Sequence, residues 1–318
     1  MSAGGYRSVA SPGMTPVTVL VPHSAGAEIL SEVDGLLPVV YDPEQPLPEQ
    51  AASARVLVAP FLATSDAVAM TGRMPQLELV QLLTAGAEAW IGRLPDGVAL
   101  SDGRGAHGGA TAEWVVSVLL AVYRHLDRFV RAQDRGEWDY HQTEELAGKR
   151  VLVVGAGDVG TKTVARLTPF EVETTLVGRT AREGVHGWDE LPRLLPEHDA
   201  CVLIVPLTDE TRGLVDAEFL AAMPDGALLV NGARGPVVDT GALLAELTSG
   251  RLRAAVDVTD PEPLPPGHPL WSAPGLLLTP HVGGTVPMAM RRAYGVAAEQ
   301  LAAFVRGAEP PNLVTGAY

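Results

Sequence analysis

Short apolar runs alternate with helix-length mixtures of polar and apolar residues along almost the whole chain. In the first third the candidate strands are Val17–Val21, Val39–Tyr41, Val56–Ala59, Leu79–Leu83 and Val98–Leu100. From the middle onward a second series follows: Val151–Val154, Thr174–Val177, Val202–Val205, Leu228–Val230, Ala254–Val258 and Leu276–Leu278. Continuous rather than alternating apolar strands, separated by helical segments, predict βαβ units and parallel sheets covered on both faces. The second series has the strand number of a complete doubly wound nucleotide-binding domain. Between the two series lies a long amphipathic stretch, Ala110 to Arg131, in which Trp114, Val118, Val122 and Leu126 recur every four residues. That spacing predicts one helix, which either packs into a core or forms a dimer interface. After Met288 a single helical pattern leads to a coil at Pro310 and Pro311.

Length and charge narrow the class. The 318 residues suffice for two domains. The formal net charge of −15 makes a poor nucleic-acid surface, yet it leaves room for a local basic pocket. Cys201, the single cysteine, sits in the apolar run Cys201-Val-Leu-Ile-Val205 and reads as a small buried hydrophobe, without a disulfide. The first 14 residues, rich in Gly, Ser, Ala and Pro, read as a disordered tail lacking a secretory core. The most apolar stretch, Trp114 to Tyr123, is too short to span a bilayer. These features predict a cytoplasmic protein with no membrane partner.

The chemistry begins at Arg150-Val-Leu-Val-Val-Gly155-Ala-Gly157-Asp-Val-Gly160. Here a strand runs into G-x-G-x-x-G and then into a helix, the order a dinucleotide site requires. Gly155 permits the turn, Gly157 lets backbone approach a pyrophosphate, and Gly160 lets helix and strand pack closely. The following helix N-terminus offers unpaired N–H groups to an anion. At the end of the next strand, where NAD enzymes usually place an acidic residue for the ribose 2′-hydroxyl, this chain has Gly178 followed by Arg179 and Thr180. That substitution favours NADP, with NAD as the alternative; Arg179 either meets the 2′-phosphate or is a solvated loop residue.

Three further strand ends carry polar residues: Arg234 in Leu228-Leu-Val-Asn-Gly-Ala-Arg234-Gly, Glu262 in Ala255-Val-Asp257-Val-Thr-Asp-Pro-Glu262-Pro, and His281 in Leu276-Leu-Leu-Thr-Pro-His281-Val-Gly-Gly. Ligands of open α/β sheets bind beyond the carboxyl ends of strands, so the three can converge. These segments, with Leu146-Ala-Gly-Lys-Arg-Val-Leu and Pro206-Leu-Thr-Asp-Glu-Thr-Arg-Gly213, resemble the D-isomer-specific 2-hydroxyacid dehydrogenase family from about Val56 onward.

The resemblance implies two doubly wound parallel-sheet domains, Rossmann-like and flavodoxin-like, with an active-site cleft between them. Residues 1–104 and 287–318 would form a discontinuous substrate domain, and 105–286 the dinucleotide domain. It also implies an NAD(P)-dependent oxidoreductase that moves a hydride to or from a small 2-keto or 2-hydroxy acid, as a homodimer. Arg234 takes the role of the arginine that grips the substrate carboxylate and carbonyl oxygen. His281 takes that of the acid/base, Glu262 that of its carboxylate partner, and Asp257 that of the residue holding the nicotinamide amide. Thr84-Ala85-Gly86 matches the loop that receives the substrate carboxylate. Asp158, Val159, Val205, Pro206, Ala233 and Gly283 fall at cofactor-contact positions, and no metal ligands are implied.

Departures from the family pattern are Thr259 in place of a common Phe, Gly178 in place of an acid, and the string Asp102-Gly-Arg-Gly-Ala-His107-Gly-Gly109. His107 reads as structural or as substrate-facing. Glu262 disfavours formate as substrate, where related enzymes carry Gln. Ala85 stands where phosphite dehydrogenases carry Lys. A nicotinamide-sensing, corepressor-like binding protein is the alternative from another functional class.

Overall fold

The computed structural model describes residues 16–61 and 65–315. The expected disordered tail falls outside the described residues. Two compact units result, one comprising Met1–Ala106 and Met290–Gly316, the other built on His107–Ala289.

The first unit carries β1 (Val17–Val21), β2 (Leu36–Val40), β3 (Val56–Val58), β4 (Leu79–Gln81) and β5 (Ala99–Ser101). They form one sheet in the order β2-β1-β3-β4-β5, every pair parallel. This is the flavodoxin-like order. The central β3 is buried at every position, which explains its unbroken apolar run; β4 is buried throughout as well, its Gln81 amide donating to the Leu82 and Asp102 carbonyls. The second strand begins earlier than the sequence suggests, at Leu36 rather than Val39, and includes Pro38. Proline is tolerated there because β2 is an edge strand. The helix Ala289–Val305 packs on this unit through Ala293, Tyr294, Ala297 and Leu301. The Tyr294 ring occupies the space a side chain at Gly26 would need, and its hydroxyl lies 2.8 Å from His23 Nδ1.

The second unit has β6 (Arg150–Val154), β7 (Glu173–Gly178), β8 (His186–Gly187), β9 (Ala200–Leu203), β10 (Leu228–Asn231), β11 (Arg253–Val256) and β12 (Leu276–Leu278). Their order is β12-β11-β10-β9-β6-β7-β8, all parallel. Counted from β6, this is the 3-2-1-4-5-6 arrangement of a dinucleotide-binding sheet with one more strand at its end. Alternate residues feed opposite faces. Leu152, Val154, Cys201, Leu203 and Leu229 enter one core; Val151, Val153, Val202, Leu228 and Val230 enter the other. Cys201 is fully buried and burial pushes its thiol up, so it is the inert hydrophobe its setting in the sequence suggests.

Two sequence expectations need correction. β8 is a two-residue strand, too short to leave a periodic signal. The stretch from Ala110 to Arg131 is not one helix but two, Gly108–Tyr123 and Leu126–Asp134. His125 takes a left-handed backbone conformation, φ 50°, and redirects the chain between them. The four-residue repeat runs across the break, so periodicity alone could not register it. Its two halves do different things: Val118 and Val122 are buried, while Leu126 and Val130 are exposed.

Candidate active site

The turn from β6 into the helix Asp158–Leu167 is fixed by its glycines. Gly155 has φ 125°, and a side chain there would run into the Ile204 carbonyl. A side chain at Gly160 would run into the Gly155 carbonyl, so helix and strand could not approach. Gly157, by contrast, has open space where a Cβ would stand, and it caps the helix N-terminus. An open position in front of unpaired helical N–H groups fits a pyrophosphate. Asp158 in the first turn is ion-paired with Lys162 at 2.6 Å, which tempers its repulsion of an anion; Val159 follows it in the same turn. Val205 is buried and Pro206 exposed just past β9, beside the same turn through Ile204.

At the end of β7, Gly178 is buried and Arg179 and Thr180 are exposed. Arg179 Nε lies 3.0 Å from Glu210, and its guanidinium stands 6.0 Å over the Trp188 ring. Arg182, which the sequence reading passed over, donates from Nη2 to the Ala156 carbonyl inside the glycine turn. It therefore reaches back to the dinucleotide motif itself. Its only sequence signal was a second arginine three residues after the first.

The other motifs meet beyond β10, β11 and β12. His281 Nδ1 lies 2.6 Å from Glu262 Oε1. An ionised carboxylate only accepts, so Nδ1 carries the hydrogen and Nε2 is left for a ligand. His281 has φ 55°, and its backbone N–H donates to the Asp257 carbonyl at 2.7 Å. Asp257 is the hub of this loop. Its Oδ1 accepts from the Thr279 hydroxyl at 2.6 Å and from Val282 N–H at 2.9 Å, and its Oδ2 from Gly283 N–H at 2.7 Å. Three of roughly four acceptor positions on this carboxylate thus hold the loop, leaving about one for a ligand amide.

Trp114 completes the support, donating from Nε1 to Thr279 Oγ1 at 3.0 Å. Its ring also lies against Gly232 and Gly283, where a side chain would crowd it. In the sequence Trp114 was visible only as one apolar position of a helix. The chain Trp114–Thr279–Asp257–loop is tertiary information.

Arg234 follows β10 in an extended conformation and is half-buried. Asn231 braces this turn from both sides, accepting from Ala233 N–H at 3.0 Å and donating to the Arg234 carbonyl at 3.1 Å. Arg234 Nη1 donates to the Ala233 carbonyl at 2.7 Å. Gly235 must lack a side chain because the Thr259 carbonyl occupies its place. Thr259 itself, where a Phe is usual, donates its hydroxyl to the Pro261 carbonyl at 2.8 Å and so shapes the segment that presents Glu262. His107 caps the helix Gly108–Tyr123, and its Cβ lies 3.4 Å from where a Gly284 side chain would begin.

In the first unit, Thr84-Ala85-Gly86 follows β4 as a half-buried turn. The Thr84 hydroxyl donates to the Gly86 carbonyl at 3.1 Å, and the Thr84 carbonyl accepts from Gly103 N–H at 2.7 Å.

Comparison with known proteins agrees with this arrangement. Residues 116–283 match the family model described as D-isomer specific 2-hydroxyacid dehydrogenase, NAD binding domain. A glyoxylate reductase of Aeropyrum pernix is 32% identical over 318 aligned positions, which cover 90% of this chain and 93% of that one. A glyoxylate reductase of Thermofilum pendens is 38% identical, and that match covers 64% of each chain. A crystal structure of a D-isomer specific 2-hydroxyacid dehydrogenase from Xanthobacter autotrophicus, in complex with NADPH and MES, superposes with a TM-score of 0.80. It is 31% identical and covers 95% of this chain and 98% of that one. Open parallel sheets, a glycine turn at a helix N-terminus and a His–carboxylate pair define a nicotinamide-dependent oxidoreductase. The chain belongs to the D-isomer specific 2-hydroxyacid dehydrogenase family, whose members transfer a hydride between NAD(P) and a 2-keto or 2-hydroxy acid. A purely nicotinamide-sensing protein is not favoured. Among the described residues no helix is long and apolar enough to cross a membrane.

Proposed function

We propose that the protein is an NADPH-preferring reductase of small 2-keto acids, glyoxylate and hydroxypyruvate among them. The observation that carries the reading is the His281–Glu262 pair on a loop clamped by Asp257. Bound NADPH supplies the hydride. His281, as the imidazolium, donates its Nε2 proton to the carbonyl oxygen as negative charge develops there, while Glu262 accepts from Nδ1–H, orients the ring and favours its charged form. Arg234 binds the substrate carboxylate and polarises the carbonyl. Backbone amides of Thr84-Ala85-Gly86 receive the carboxylate as well. A panel of 2-keto acids with NADPH and NADH tests the proposal; no oxidation of either cofactor with any of them would overturn it.

The cofactor preference rests on the end of β7. Gly178 offers no carboxylate to repel a 2′-phosphate, and Arg179, Thr180 and Arg182 follow it. A phosphate arriving there would draw Arg179 from its exposed pair with Glu210, a small loss because such surface pairs contribute little. Arg179→Ala is expected to lower the kcat/KM ratio of NADPH over NADH by about one to two powers of ten, the worth of one charge-assisted bond. An unchanged ratio would show that Arg179 serves only Glu210 and Trp188. Gly178→Asp is a poorer probe, because a Cβ there would lie 3.2 Å from Arg182 Nη1 and 3.3 Å from the Ala156 Cβ.

For assembly, the proposal is a homodimer through the helix Leu126–Asp134 and the loop after it. Leu126 and Val130 are 49% and 57% exposed, and Trp138 and Tyr140 are 95% and 87% exposed. Large apolar groups left exposed on one helix and the loop after it are candidates for an interaction surface. The loop is fixed by Arg128–Asp139 at 2.6 Å and by His141 stacked on Phe129. Trp138→Ala combined with Val130→Asp is expected to shift the sedimentation coefficient from dimer to monomer. A wild-type monomer would end this reading.

A further inference from the structure

The segment Asp102–Ala106 holds an arginine over a buried carboxylate. Asp102 is fully buried at the end of β5, and its Oδ1 accepts from both the backbone N–H and the Nε of Arg104, at 3.1 and 2.9 Å. Burial pushes the Asp102 carboxyl up, while the Arg104 N–H groups pull it back. The Arg104 side chain is 52% exposed, and its two terminal nitrogens have no partner among the described residues. Arg292, on the helix Ala289–Val305, is held in the same way. Its Nε donates to the Ala106 carbonyl at 3.1 Å, and its terminal nitrogens likewise have no partner among the described residues. An arginine fixed through Nε presents its two terminal nitrogens in a set direction, the geometry that grips a carboxylate or phosphate edge-on.

This pair of arginines is wired to the carboxylate-receiving loop. Gly103 donates to the Thr84 carbonyl at 2.7 Å and accepts from Ala106 N–H at 3.1 Å, and the Ala106 carbonyl in turn accepts from Arg292. The approach is close. A Cβ at Gly103 would lie 2.8 Å from the Leu83 carbonyl carbon and 3.0 Å from the Thr84 nitrogen. Arg104 is therefore the neighbour of the residue that bonds the turn expected to receive the 2-keto acid's carboxylate. On a chain of net charge −15, cationic groups held open here favour an anion.

We propose that Arg104 and Arg292 form a subsite for a second anionic group, so that the preferred substrate is a 2-keto acid with a further carboxylate or phosphate at its far end. This rests on the hydride-transfer reading, which it narrows to a class of substrate. Asp102 is the positioning residue that aims Arg104.

The test compares shape-matched substrates that differ only in the distal charge. With NADPH, kcat/KM for 2-oxoglutarate should exceed that for 2-oxopentanoate, and 3-phosphohydroxypyruvate should be compared with hydroxypyruvate to tell carboxylate from phosphate. In Arg104→Met the larger of these two ratios should fall about ten- to hundredfold, and Arg292→Met should lower it too, with Arg104→Lys restoring part of it. Calorimetric titration of the NADP-loaded protein with N-oxalylglycine and with N-ethyloxamate, unreactive mimics of the first pair, reads the contrast without turnover. Ratios near one in the wild type, or a variant that slows both members of each pair equally, would overturn the subsite and leave a structural ion pair. A retained binding contrast with no turnover would instead support the subsite and sink the hydride-transfer reading.

Discussion

His281→Ala is expected to lower kcat by about 100- to 10,000-fold, the usual cost of losing a positioned general acid. Cofactor affinity, read by quenching of protein fluorescence or by calorimetry, should stay near wild type, because the glycine turn after β6 shares no hydrogen bond with the imidazole. Alanine is not a neutral choice at φ 55°, where a side chain without hydrogen-bonding capacity is disfavoured. His281→Asn is the control, since asparagine tolerates that backbone and keeps the loop on Asp257. Both variants should be comparably slow. If His281→Asn turned over at the wild-type rate, the histidine would be shaping the loop and not moving the proton. Glu262→Gln should be slowed less than either, because the amide still accepts a hydrogen bond from Nδ1 but brings no charge to favour the imidazolium that donates the proton.

Arg234→Ala is expected to raise KM for the keto acid and lower kcat together, each by at least about tenfold. The reasoning is that one guanidinium meets the carboxylate in both ground and transition states, and meets the carbonyl oxygen more strongly as charge accumulates. Each charged bond contributes roughly 1.5–3 kcal/mol, so kcat/KM should fall on the order of 100-fold or more. Arg234→Lys should recover little, because an ammonium cannot grip two acceptors in one plane. The turn itself should survive, as Asn231 holds it through the backbone of Ala233 and Arg234. A change confined to the KM of the cofactor would move Arg234 out of the substrate site and into the dinucleotide site.

Much of this was legible in the chain. Unbroken apolar runs such as Val151–Val154 and Ala200–Leu203 announce strands covered on both faces, because such a strand has no solvent side on which to place polar residues. Gly155 and Gly160 could be read by type, since each is the only residue that tolerates the carbonyl pressed against it. Arg234, Glu262 and His281 each lie a few residues past the end of a strand, on the ligand side of an open sheet, and it was the family motifs around them that gave them roles. Helix breaks were not readable in this way. The repeat that begins at Trp114 continues past His125 although the helix does not, because a backbone reversal changes which face is buried without changing the spacing of apolar residues. Only the folded chain shows that the Asp257 carboxylate accepts three hydrogen bonds from the His281 loop and that Trp114 reaches it through Thr279. The same is true of Arg104, an ordinary surface residue in the sequence until Asp102 is found buried beneath it. Local pattern determines which segments become strands and which residue types stand at their ends. Which side chains then hold one another depends on contacts between residues far apart in sequence, such as Trp114 with Thr279 and Ala106 with Arg292, and no local pattern encodes those.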